Sequence, residues 1–270
     1  MAIIHCPALA RRHLVAWCLR VLLCNDWFYS YFGGVGCVLR LYEQVVVNIE
    51  KSPQKSMRIR FVIVVLFCST AFACGENEDD RFIFFLHNRF LEEHELDESH
   101  PEFGRTEYKE ILAEFEKSGL KVISEKRNGN VNARDYAVGI VNQIDSLTEN
   151  GIEPSKITIV GTSKGGYIAQ YVSTLANNPE LNFVFVASFR NNDLENIPEI
   201  NFCGNILTIY EKTDPFGVSA IRRKENSTCE IKNFKEVELN TGMGHGFLFK
   251  PLEEWIGPTI KWANGDYGLE

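Results

Sequence analysis

The chain contains no internal repeat, no low-complexity tract and no stretch that reads as a second domain, so a fibre, a repeat array and a disordered protein are all set aside. It also has no apolar run suited to a membrane. The unbroken run Phe61 to Phe67 is far too short to cross a bilayer as a permanent helix. Positive charge is not in excess: 28 Lys and Arg stand against 36 Asp and Glu, for a net charge of −8. Nucleic acid and anionic membrane surfaces are therefore poor partners. Histidine is scarce, with six in the chain and only His245 beyond residue 163. What remains is 45% hydrophobic and 24% charged, the composition of a soluble globular protein with one sizeable core.

The N-terminal quarter reads differently. Met57-Arg58-Ile59-Arg60 is a basic start, Phe61 to Phe67 an apolar stretch, and Ala71-Phe72-Ala73 the small-residue pattern after which a signal peptidase cuts. Translation is expected to begin at Met57, with residues 1–56 a mis-assigned upstream extension, 57–73 a signal peptide and 74–80 an acidic tether. Removal of residues 1–73 leaves 20 basic against 33 acidic residues, a net charge of −13. "AFAC" before "GENEDD" resembles the lipobox of bacterial lipoproteins, in which the first mature cysteine carries lipid. The resemblance implies membrane anchoring through Cys74 and an exported location: periplasmic, outer-membrane-associated or extracellular. Ala71 and Phe72 stand where that family favours Leu and a small residue, so plain secretion stays open. Cys203 and Cys229 are then either a disulfide, as exported proteins favour, or two buried thiols.

From residue 81 to 270, apolar runs alternate with amphipathic stretches. Strands are expected at Arg81 to Asn88, Lys121 to Lys126, Lys156 to Gly161, Asn182 to Phe189, Asn205 to Glu211 and Phe234 to Asn240. Several are apolar at consecutive positions, the mark of strands covered on both faces. Tyr108, Ile111, Leu112 and Phe115 repeat at helical spacing before Gly119, as do Ala133, Ala137, Ile140, Ile144 and Leu147 before Gly151. The alternation predicts a single α/β domain with a doubly wound, mostly parallel sheet and helices on both faces. The link "RNNDLENIPEINFCG" is too polar and proline-interrupted to hold a lid of several helices, so a site at the strand ends should be open.

"KITIVGTSKGGYIAQYVSTLA" joins an apolar strand to an amphipathic helix through Ser163. Gly161 and Gly165 flank the serine two residues either side, and Gly166 extends the small face. This is G-x-S-x-G, where residues without side chains let strand and helix approach closely around a strained serine. A phosphate-binding P-loop needs Lys followed by Ser or Thr, and "GTSKGG" has that order reversed. A serine hydroxyl needs a base, and His245, in a glycine-flanked loop after the last strand, is the one histidine downstream. The imidazole needs a carboxylate to fix its tautomer. Asp214, just past a strand end and stiffened by Pro215, is the first choice, with Glu211 and Asp193 as rivals.

In this order, Ser163, Asp214 and His245 resemble the α/β-hydrolase superfamily over about Arg81 to Trp262. The resemblance implies Ser163 as nucleophile, His245 as general base and then acid, and Asp214 as the orienting carboxylate. It further implies an oxyanion hole from the backbone N–H of Lys164 and a second N–H from "FLHNRF", at Asn88 or Arg89. Asn88 stands where the family often has Gly, and Asn tolerates left-handed backbone better than most residues. No metal or organic cofactor is implied, and the substrate class is a small-molecule or polymer-borne ester. The competing expectation is a binding or scaffold lipoprotein that keeps the fold without turnover.

Overall fold

The computed structural model describes residues 80–268; the upstream extension, the signal-like segment, Cys74 and the tether as far as residue 79 lie outside them. The described chain begins with β1 (Phe82–Leu86), a short helix α1 (Arg89–Glu93), a hairpin of β2 (Ser99–His100) and β3 (Gly104–Arg105), and helix α2 (Tyr108–Lys117). Then β4 (Lys121–Ile123), α3 (Ala133–Glu149), β5 (Ile157–Thr162) and α4 (Lys164–Ala176) alternate. The remainder holds β6 (Asn182–Val186), α5 (Asp193–Asn196), β7 (Asn205–Glu211), α6 (Ile221–Asn226) and β8 (Asn233–Leu239). A 3₁₀ turn over Gly244–Phe249 and helix α7 (Glu253–Ala263) close it.

Six strands form one sheet in the order β4-β1-β5-β6-β7-β8, every neighbouring pair parallel, and β2-β3 form a separate antiparallel ribbon. Alternate side chains of each central strand go to opposite faces. Ile83 and Phe85 pack with Phe115 of α2 and Trp255 and Trp262 of α7. Phe84 and Leu86 pack with Ile140 and Ile144 of α3 and Ile168 and Val172 of α4. Both faces are thus covered by helices, which is why the strands read as continuous apolar runs. The fold is a doubly wound α/β sheet.

β4 and β6 stop furthest short of the expected ranges. β4 ends at Ile123 because Ser124 turns its hydroxyl onto the carbonyl of Phe85, at 2.6 Å. β6 ends at Val186 because Ala187 takes a positive φ of 48°, which no strand continues through. Helix α4 stops at Asn177, whose left-handed conformation ends the helix just before Asn178-Pro179.

From β1 the chain moves outward to β4, then crosses back to β5 on the other side of β1. The crevice at the carboxyl ends of β1 and β5 is a topological switch point, the usual position for a ligand in such sheets. At the opposite, amino edge, Arg81 Nη1 donates to the carbonyls of Ala263 (2.9 Å) and Ser155 (3.2 Å), and Tyr267 donates to Asn182 (2.7 Å). Cys203 and Cys229 are joined in a disulfide with Cα atoms 5.1 Å apart, just ahead of β7 and β8 at the same edge. No described helix is long and apolar enough to cross a membrane.

Candidate active site

Ser163 connects β5 to α4 with φ 50° and ψ −116°, a region costly for any residue with a side chain. Its surroundings hold it there. The Ser163 N–H donates to the carbonyl of Val186 at 2.9 Å, and its own carbonyl accepts from Gly166 (2.9 Å) and Tyr167 (3.2 Å). The three flanking glycines are explained by close approach. A Cβ on Gly165 would lie 1.9 Å from the Leu86 carbonyl oxygen, one on Gly161 2.2 Å from the Gly165 oxygen, and one on Gly166 2.3 Å from the Ser188 side chain. α4 therefore begins pressed against the end of β1.

Asp214 sits on the turn after β7, and His245 on the 3₁₀ turn after β8. Each loop reaches over the sheet end, and His245 Nδ1 lies 2.6 Å from Asp214 Oδ2 while its Nε2 lies 2.9 Å from Ser163 Oγ. An ionised carboxylate only accepts, so Nδ1 carries the proton and Nε2 of the neutral ring is left to accept from the serine hydroxyl. The Asp214 carboxylate is fully buried and the His245 ring nearly so. Asp214 Oδ1 accepts from the Phe216 N–H at 2.8 Å, which fixes the carboxylate plane. The structure thus joins the three residues picked from the sequence into one hydrogen-bonded chain.

The rival carboxylates have other employment. Glu211 accepts from the Thr213 N–H (2.6 Å) and hydroxyl (2.5 Å) and from the Gly242 N–H (3.1 Å), clasping the Asp214 turn to the loop that leads to His245. Burial alone would raise its pKa, but hydrogen bonds from Thr213, Gly242 and Thr241 hold it below the ordinary carboxylate value. Asp193 accepts from Tyr167 (2.6 Å) and from the Arg190 N–H (2.7 Å), closing the turn after β6.

At the end of β1, His87 is buried with both ring nitrogens engaged. Its Nδ1–H donates to the Asn88 carbonyl at 2.8 Å and its Nε2 accepts from the Arg127 N–H at 2.8 Å. It has no free nitrogen for proton transfer. Asn88 makes no use of the left-handed backbone that Asn tolerates; its φ of −69° and ψ of 172° are extended backbone. The side chain accounts for the residue instead, since Oδ1 accepts from the Leu91 N–H at 3.2 Å and caps α1. Among the described residues, the backbone N–H groups of Asn88, Arg89 and Lys164 have no hydrogen-bond partner. Arg89 and Lys164 open α1 and α4, so two helix N-termini converge beside Ser163.

One residue that the sequence does not single out joins these parts. Glu92, fully buried on α1, accepts from Lys164 Nζ at 2.9 Å and from the Val131 N–H at 2.7 Å. Lys164 Nζ also donates to Asn130 at 2.9 Å. Nothing in a five-residue helix marks which of its two carboxylates is the buried one. Over the serine lies an open groove of about 460 Å³, lined by Phe90, His100, Phe103 and Phe249 on the α1 and hairpin side and by Phe216 and Arg190 on the other. The link after β6 holds only α5, four residues long, so among the described residues this link supplies no helical lid.

No family model matches the chain, and no curated protein does. Solved structures are similar at low identity. A sugar hydrolase from Lactococcus lactis shares 13% identity over 71% of this chain and 91% of its own, with a TM-score of 0.46. An arylesterase shares 16% over 70% and 76%, at 0.48. SOBER1 of Arabidopsis thaliana shares 18% over 67% and 100%, at 0.41.

Proposed function

We propose that this protein is a serine hydrolase of the α/β-hydrolase type that cleaves a carboxylic ester through an acyl-enzyme. The observation that carries the reading is the continuous Asp214–His245–Ser163 chain, at 2.6 and 2.9 Å, with the serine at a strained bend. His245 Nε2 takes the hydroxyl proton as Ser163 Oγ attacks the carbonyl, and Asp214 stabilises the imidazolium that forms. The oxygen that becomes negative is received by the N–H of Lys164 and that of Asn88 or Arg89, each such donor being worth about 3 kcal/mol in the transition state. The imidazolium then protonates the leaving alcohol, and water, deprotonated by the same ring, releases the acid and restores Ser163. Esters are favoured over amides because an alcohol demands less of the general acid. The Met57–Cys74 segment supports an exported setting, where the Cys203–Cys229 disulfide would persist.

A fluorophosphonate probe tests the reading. The unmodified protein is expected to label covalently, and Ser163→Ala and His245→Ala are expected to lose the label. Absence of labelling in the unmodified protein would favour a scaffold without turnover, and equal labelling of Ser163→Ala would remove it as nucleophile.

A further inference from the structure

The groove's two ends differ in charge in a way that the hydrolytic step does not require. On the α1 side the groove's one guanidinium is matched, since Arg89 Nε meets Glu93 at 2.8 Å, and Glu98 accepts from the His94 ring at 2.9 Å. Across Ser163 stands Arg190, whose guanidinium has no hydrogen bond or ion pair among the described residues. The carboxylate nearest in its own turn is occupied, since Asp193 Oδ2 accepts from Tyr167 and from the Arg190 backbone N–H. Arg223, a second cation there, spends its guanidinium on the carbonyls of Asp193 (2.6 Å), Ile200 (2.9 Å) and Ile197 (3.0 Å). Arg223 is thus held by backbone carbonyls away from the serine, and Arg190 is the guanidinium that lines the groove.

Its position is fixed by an aromatic relay. The Arg190 guanidinium lies over the Phe216 ring at 5.3 Å, and that ring meets the His245 ring edge-on at 5.3 Å. Two ring contacts thus separate an unmatched planar cation from the base beside Ser163. Stacking on a ring leaves the N–H edge of a guanidinium free, and that edge matches a carboxylate with two parallel hydrogen bonds.

We propose that Arg190 is the residue by which the groove selects its substrate, and that the preferred substrate class is an ester carrying a carboxylate about one aromatic ring away from the scissile bond. This rests on the hydrolase reading for the identity of the scissile bond, but not for the recognition of the anion.

The test uses 4-acetoxybenzoate and its neutral methyl ester with the full chain and Arg190→Gln. The loss of kcat/KM on substitution is expected to be roughly tenfold or more greater for the anionic ester than for the neutral one, the scale of a charge-assisted hydrogen bond. Arg190→Lys should recover part of that difference, and added salt should shrink it. Equal losses for the two esters would overturn the proposal. Independently of turnover, calorimetric titration of Ser163→Ala should show tighter binding of 4-acetoxybenzoate than of the methyl ester, and the preference should vanish in Ser163→Ala/Arg190→Gln. No preference in Ser163→Ala, or one that survives the second substitution, would also overturn it. If neither ester is turned over while the titration shows the preference, the hydrolase reading fails and the anion site stands.

Discussion

His87 shows how a buried side chain records its surroundings in a titration. Burial first, and then the charge of Arg127, lower its pKa from the usual 6.5 to about 3. The unfolded chain binds the proton as pH falls through 6.5, whereas the folded chain keeps the ring neutral until about 3. The folded state is therefore favoured fully above pH 6.5 and loses that advantage as pH drops, by up to roughly 1.4 kcal/mol per pH unit. Urea unfolding between pH 7 and pH 5 should show a steeper loss for the unmodified protein than for His87→Gln, and parallel profiles would refute the assignment. At this scale the sequence was legible where chain order constrains chemistry: one histidine follows Ser163, and Asp214 lies beyond a strand end. It was mute on Asn88, whose capping role depends on a helix too short to announce itself, and on Glu92, because nothing about a glutamate in a polar stretch tells that it will be buried.

Elements differ in how far they sustain themselves. Helices α3 and α4 have apolar faces long enough to be read from their spacing, while α1 has five residues and β2 and β3 two each, too few to display any period. What secures α1 is the Asn88 cap and the Glu92–Lys164 pair, which ties the first turn of α1 to the start of α4. Removing one partner of a buried pair strands the other, so Glu92→Ala should lower stability by about 3–5 kcal/mol in denaturant unfolding. Because both helix N-termini flank Ser163, the same change should lower kcat more than it alters KM. The paired substitution Glu92→Leu/Lys164→Met separates these effects: stability should return, since packed apolar residues replace a buried ion pair at little cost, and kcat should stay low. Recovery of both would mean that the pair serves folding alone. The six strands, by contrast, were legible as runs, but not their order: β4 beside β1, and β5 on its other side, depends on how helices pack and leaves no local trace.

For the whole domain, the candidate site and the disulfide lie at opposite ends of the strands. Ser163, Asp214 and His245 stand at carboxyl ends, whereas the Cys203–Cys229 disulfide lies ahead of β7 and β8 and closes a loop with a sequence separation of 26. A bridge of that span contributes about 3 kcal/mol by restricting the unfolded chain. Cys203→Ala/Cys229→Ala should accordingly unfold at lower denaturant, with kcat/KM close to that of the unmodified protein. A large fall in kcat/KM at a temperature where the variant is folded would show that the two ends are coupled. The doubly wound layers were legible from the alternation of runs and helical spacing; the pairing of the cysteines was left open because it depends on two strands becoming neighbours.

The contacts of Arg81 with Ala263 and of Tyr267 with Asn182 bring both ends of the described chain to the amino edge. Any bead, carrier or reporter joined at Asp80 or at Gly268 is then held on the side away from the groove. Attachment at either of these two positions leaves the groove turned outward to the medium.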